Sequence, residues 1–150
     1  MDAKETLIKL IQDGLPLLTN AAKAVPADKY DWKPEPTARS TRELFTEAVT
    51  MLSNTAKMLD QHEMPSDYDE VSKGNSAKNV DELSLQAQQD SQALCAAIRA
   101  FPQADMETTI DLPWGVFSYF QMMSYPYWNL IWHAGQINYI QTLYGDTQMH

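Results

Sequence analysis

Apolar residues recur at spacings of three and four along most of the chain, the signature of helices with one buried face. The pattern predicts four helices, near residues 3–24, 40–62, 80–101 and 118–144. In the first, Leu7, Leu10, Ile11, Leu15 and Leu18 form the stripe. Pro16 falls inside it and removes one backbone hydrogen bond, so a kink or a break is expected there. The second opens at Ser40, a good N-cap, with Glu43 three residues on to complete a capping box. Leu44, Ala48, Met51, Leu52, Thr55 and Leu59 make its stripe, and it should end near His62, before Pro65. The third carries Leu83, Ala87, Leu94, Ala97, Ile98 and Phe101 inward, with Asp81 and Glu82 suiting its N-terminal dipole and Pro102 stopping it. The fourth opens near Ser118, contains Pro126, where a kink is expected, and has Gly145 as its C′ residue.

The connections differ in character. "VPADKYDWKPEPTARS" is a proline-rich loop. The polar stretch from Met64 to Asn79 is expected to be a long irregular crossover. In "ETTIDLPWGVFS", Thr108, Ile110 and Leu112 alternate with Thr109 and Asp111, a short extended signal that ends at Pro113. Four helices with two long connections fit a four-helix bundle. Periodicity alone leaves the order of neighbours open.

A chain of 150 residues favours a single domain, here residues 1–150. The formal net charge of −9, with no basic stripe, argues against nucleic acid and against an anionic membrane surface as partners. One cysteine, Cys95, allows no intrachain disulfide and suits a reducing compartment. The acidic start "MDAKETLIKLIQDG" does not resemble a signal peptide, and no apolar run approaches the ~18 residues that span a bilayer. A cytoplasmic location is the expectation.

The candidate chemistry lies in "WNLIWHAGQINYIQTLYG". Asn129, His133 and Gln136 stand at i, i+4 and i+7 and share one helical face. The same segment holds Tyr125, Tyr127, Trp128, Trp132 and Tyr139 on several faces, more than one core stripe requires, so some should line a cavity or an interface. Cys95, in "ALCAAI", reads as a small buried residue rather than a nucleophile. His62 reads as a solvated residue at a helix end, and His150 as a mobile terminal one.

Three stretches in fixed order, "DWKPEPTARSTRELFTEAV", "LPWGVFSYFQMM" and "HAGQINYIQTLYG", resemble the DinB-like superfamily with its YfiT-like members, small bacterial four-helix bundles. The resemblance implies an all-α, up-down-down-up bundle with a short extended segment before the last helix, and a homodimer. It implies a divalent metal held by three histidines, one from the second helix and two from a His-x-x-x-His pair in the last. Carried over position by position, the second histidine of that pair is His133, the first is Asn129, and the second-helix histidine is Glu47. The arginine that follows the last histidine in the family is Ala134 here. The implied metal set is therefore Glu47, Asn129 and His133, with Glu47 and His133 as candidate catalytic groups.

This set retains one imidazole and two oxygen donors, a degenerate site for zinc, nickel or manganese. Two readings follow. One is a divalent-metal-assisted transferase acting with a low-molecular-weight thiol. The other is a metal-free, non-catalytic dimer that binds a small molecule or a protein partner, with Glu47 and His133 satisfying each other as an ion pair or hydrogen bond.

Overall fold

The structure, a computed structural model, describes residues 2–150. Its long helices are α1 (Ala3–Ala24), α2 (Thr41–Gln61), α4 (Val80–Ala100) and α5 (Tyr119–Thr142). A short helix, α3 (Tyr68–Ser76), lies between α2 and α4, and a hairpin of β1 (Thr109–Leu112) and β2 (Gly115–Ser118) precedes α5.

The long helices start where side chains satisfy their free N–H groups. Ser40 and Glu43 form the expected capping box on α2, and Asn79 with Glu82 and Ser118 with Gln121 form matching boxes on α4 and α5. α1 runs through Pro16 and α5 through Pro126 without a break, so the expected break at Pro16 does not occur. Each proline removes one rung of the ladder, while burial of Leu7, Ile8, Ile11 and Leu18 holds α1 on both sides of the gap.

Side-chain ties give the helix directions. Lys4 Nζ donates to the carbonyls of Arg99 and Phe101, both at 2.8 Å, and Lys23 pairs with Asp81 at 3.5 Å, so α1 and α4 are antiparallel. Arg42 donates to the Lys78 carbonyl at 2.8 Å near the starts of α2 and α4, and the His62 ring rests on Phe101 at their ends, so these two are parallel. Gln141 donates to the Ala21 carbonyl at 3.3 Å, and Gly14 faces Tyr127 and Leu130, so α1 and α5 are parallel. A Cβ on Gly14 would meet Tyr127 Cδ2 at 3.4 Å, an ordinary packing contact, so the two helices lie close here without requiring glycine. The bundle is thus all-α and up-down-down-up, with α1 and α2 on one diagonal.

Its centre is filled by Ile11, Leu18, Phe45, Leu52, Leu83, Leu94, Ile98, Met123 and Leu130, all fully buried. Each contributes roughly 1.5–3 kcal/mol of hydrophobic stabilisation. No helix among the described residues is long and apolar enough to cross a membrane.

Two expectations need correction. The crossover at Met64 to Asn79 is not wholly irregular but contains α3. This helix has a single buried residue, Asn75, and so no apolar stripe. It is seated by polar ties: Asn75 Nδ2 donates to Thr50 Oγ1 at 3.1 Å, Lys57 pairs with Asp67, and Arg42 reaches the Ser76 carbonyl at 3.2 Å. His62 is exposed at the end of α2, as expected, and its ring also makes a contact. It ends α2 in the left-handed region (φ 57°), with Nδ1 3.2 Å from the Tyr119 hydroxyl. His150 is held rather than loose: its N–H donates to Asn138 Oδ1 at 3.0 Å and its ring meets Asp146 at 2.9 Å.

Candidate functional site

Antiparallel packing of α2 on α5 brings Glu47, two turns into α2, opposite His133 on α5. His133 Nε2 lies 3.4 Å from Glu47 Oε1. That is longer than a well-formed hydrogen bond, and the contact is an ion pair only when the ring is protonated. His133 Nδ1 and Gln136 Oε1 are 2.6 Å apart, one turn along the same face. With Nδ1 donating there, Nε2 is the ring atom left for Glu47 and the cavity. The imidazole is inside the bundle, with its side chain 6% exposed, whereas the Glu47 side chain is 36% exposed.

Arg39 completes the cluster. It comes from the loop before α2, where Nη2 donates to the Glu43 carbonyl at 2.9 Å, and Nη1 pairs with Glu47 Oε2. Sequence reasoning missed this residue and paired Glu47 with His133. The carboxylate instead lies between the two, one oxygen to each. The facing His133 imidazole, and then the Arg39 guanidinium, hold the Glu47 carboxyl down at about 2, against partial burial, which pulls the other way.

Glu47, Arg39, Asn129, His133 and Gln136 line an open cavity of about 380 Å³, with Trp128 and Trp132 at its rim. The two indoles are 61% and 66% exposed. On the other side of the Arg39–Glu47 pair is a second cleft of about 250 Å³, bordered by Thr46, Tyr68 and Ser72. Burial and the Glu47 charge both push the Tyr68 hydroxyl up. Asn129 Oδ1 is buried without a hydrogen-bond partner. Cys95 is on α4, away from this cavity, and burial raises its thiol, which lowers its reactivity.

A catalytic zinc site has about three strong ligands and an open position. Here the donors are one imidazole, one neutral amide oxygen and one carboxylate that already holds a guanidinium. No cluster of three His, Cys, Asp or Glu side chains suited to a metal occurs among the described residues. The Arg39 charge beside Glu47 further opposes an added dication. These residues do not fit a catalytic zinc or nickel ion. Asn129 Oδ1 is left without a partner among the protein atoms of this cluster.

No protein-family model and no curated protein sequence matches the chain. Solved structures do. YfiT from Bacillus subtilis, described as "a probable metal-dependent hydrolase with an unusual four-helix bundle topology", superposes with a TM-score of 0.79 at 12% identity, over 95% of this chain and 87% of YfiT. The fold is the DinB/YfiT-like four-helix bundle. A DinB-like protein, YjoA from Bacillus subtilis, matches with a TM-score of 0.73 at 16% identity, over 97% of this chain and 96% of YjoA. A mycothiol-dependent maleylpyruvate isomerase matches with a TM-score of 0.69 at 14% identity, over 91% of this chain but 61% of the isomerase. The chain thus spans less than two thirds of that enzyme's length. At such identities the likeness is one of fold.

Proposed function

We propose that this DinB-like bundle works without a catalytic metal, as a non-catalytic cytoplasmic homodimer that binds a small polar molecule in the cavity between α2 and α5. The observation that carries the reading is the double engagement of Glu47: Arg39 neutralises the carboxylate at one oxygen, and His133 stands against the other. The ligand would lay an apolar face on Trp128 and Trp132 and hydrogen-bond Asn129, whose oxygen has no internal partner. The exposed indoles and Tyr139 support the homodimer, because a monomer would leave them in water. Light scattering should give twice 17.0 kDa at tens of micromolar, and a mass of one chain would remove that part of the reading.

The competing reading, a divalent-metal-assisted transferase using a low-molecular-weight thiol, draws on the thiol-dependent isomerase among the structural neighbours and on the Asn129 oxygen. Titration of untagged protein with Zn²⁺, Ni²⁺ and Mn²⁺, read as thermal stabilisation, separates the two. The metal-free reading expects no stabilisation of the wild type. Stabilisation that vanishes in Glu47→Ala would overturn it. Arg39→Ala adds a second arm: if the guanidinium is what excludes a dication, this variant gains a metal response that the wild type lacks.

A further inference from the structure

α5 is apolar on more faces than its neighbours cover. It packs against α1 and α2, which bury Met123, Leu130, Ile137 and Ile140. Trp128, Trp132, Tyr139 and Leu143 follow one another at helical spacing along its remaining face, and all four are exposed. A helix that is apolar all round is normally covered on every side. Gly135 stands in the middle of this face, between Trp132 and Tyr139, and is exposed too. A Cβ there would meet nothing within 4 Å, so nothing in this chain calls for glycine at the position. Glycine weakens a helix interior relative to alanine. A second backbone passing close by would give it a use. Beside Gly135 is an open groove of about 640 Å³, walled by Trp132, Tyr139 and the loop residues Pro34, Thr37 and Ala38.

Charge indicates what covers the face. No Asp, Glu, Lys or Arg occurs in α5. Chains of net charge −9 repel one another, so two copies can meet closely only where neither presents a carboxylate. To a strongly charged partner the same face offers no counter-charge. The area suffices as well. With 61%, 66% and 65% of Trp128, Trp132 and Tyr139 exposed, roughly 400 Å² of aromatic surface is open on each copy. Two copies therefore bring on the order of 800 Å² from these rings towards the ~1,200–2,000 Å² of a stable interface, and the groove walls adjoin them.

From these observations we propose that α5 pairs with α5 of a second copy, antiparallel and crossing at Gly135, and that the partner's Tyr139 closes the mouth of the cavity between α2 and α5. The proposal rests on the homodimer reading above and adds which face pairs and what it brings to the site. A two-fold axis at Gly135 sets each residue opposite one equally far beyond it along the other helix. Trp132 then lies beside Tyr139 of the partner subunit, and Trp128 beside Leu143 of the partner subunit. Trp132 borders the α2–α5 cavity as well as the groove. A ring laid on it walls the open side of that cavity and adds a phenol hydroxyl there. In a single copy this side faces water, so the site is complete only in the dimer.

Dimers mixed from ¹³C-labelled and unlabelled chains test the contact in the unaltered protein. An isotope-filtered NOE spectrum should connect the Tyr139 ring with the partner's Trp132. In Gly135→Cys, oxidised glutathione should link two chains, because helices packed about 8–10 Å apart bring the Cα atoms at a crossing within disulfide reach. Thr142→Cys, exposed on the same helix, should not link, since its two copies would lie on the order of 20 Å apart. Tyr139→Ala should raise the concentration at which the dimer dissociates by about tenfold or more. A monomer at tens of micromolar overturns the homodimer reading and this inference with it. A dimer that lacks the NOE, that links through Thr142→Cys rather than Gly135→Cys, or that Tyr139→Ala leaves unchanged overturns this inference alone and leaves the homodimer reading standing.

Discussion

His133→Ala measures how wet the site is. The change removes a buried imidazole and leaves two oxygens facing the space, Gln136 Oε1 at 2.6 Å and Glu47 Oε1 at 3.4 Å from the former ring. In a dry interior, breaking such a set would strand a carboxylate and cost about 3–5 kcal/mol. The structure argues for less. The cavity is open, Glu47 is 36% exposed, and Arg39 stays on its other oxygen. The Gln136 contact then contributes about 0.5–1.5 kcal/mol as a net hydrogen bond. The Glu47 contact, discounted for screening, adds about 0–1 kcal/mol. A loss of about 0.5–2.5 kcal/mol is expected, or roughly 1–10 °C in Tm for a chain of this length. Urea unfolding at pH 7 of the single variants His133→Ala and Glu47→Ala and of the double variant gives the coupling directly, which should stay at or below about 1 kcal/mol. A loss above about 3 kcal/mol would refute this reasoning, since the carboxylate would then depend on the ring alone.

Other outcomes follow from the same contacts. Glu47 has its carboxyl held at about 2 in the fold, below the ordinary 4.5, so its share of stability is complete above pH 4.5 and is lost as the pH falls toward 2. Acid unfolding should therefore bring Glu47→Gln and the wild type together across that window, with a difference at neutral pH of at most about 1 kcal/mol because the group is partly exposed. Asn79→Ala removes the side chain that accepts from the N–H groups of Asp81 and Glu82, at 3.0 and 2.9 Å, and should cost about 1 kcal/mol in urea unfolding. Arg42→Met breaks the pair with Asp31 and the bonds to the Ser76 and Lys78 carbonyls; it should cost about 1–3 kcal/mol and speed amide exchange first in α3, whose seat it loosens.

The four long helices could be read from the chain because each carries apolar residues at helical spacing, in α5 on several faces, and a side chain that caps its start. Ser40 with Glu43 is the plainest case. α3 lacks both signals: it buries only Asn75, and Asp67 makes no capping bond. A helix held by tethers from other elements leaves no period of its own. β2 was hidden for a similar reason, since a strand of four residues with mostly part-exposed side chains alternates too weakly to be noticed. At the site, the spacing of Asn129, His133 and Gln136 told that they share a face. That Glu47 stands opposite came from the family resemblance. Nothing local marks Arg39, which comes from a proline-rich loop with no period.

The charge at the site argues for the same end as its donors. Three neutral imidazoles leave a cavity free to take up a dication. With Glu47 in place of one imidazole the cavity wall gains a negative charge, which by itself would strengthen attraction to a metal. Arg39 reverses that gain. Its guanidinium lies against Oε2 and returns the pair to neutrality, and it occupies an oxygen that a metal would use. A dication would then have to bind through one shared carboxylate oxygen, one imidazole nitrogen and an amide, next to a fixed positive charge. A neutral polar guest meets none of these obstacles. It finds an amide oxygen without a partner, an imidazole steadied by Gln136 and two indole faces open to solvent. In the proposed reading, the residues that stand where the resemblance places two histidines therefore disfavour a metal and favour a small organic molecule.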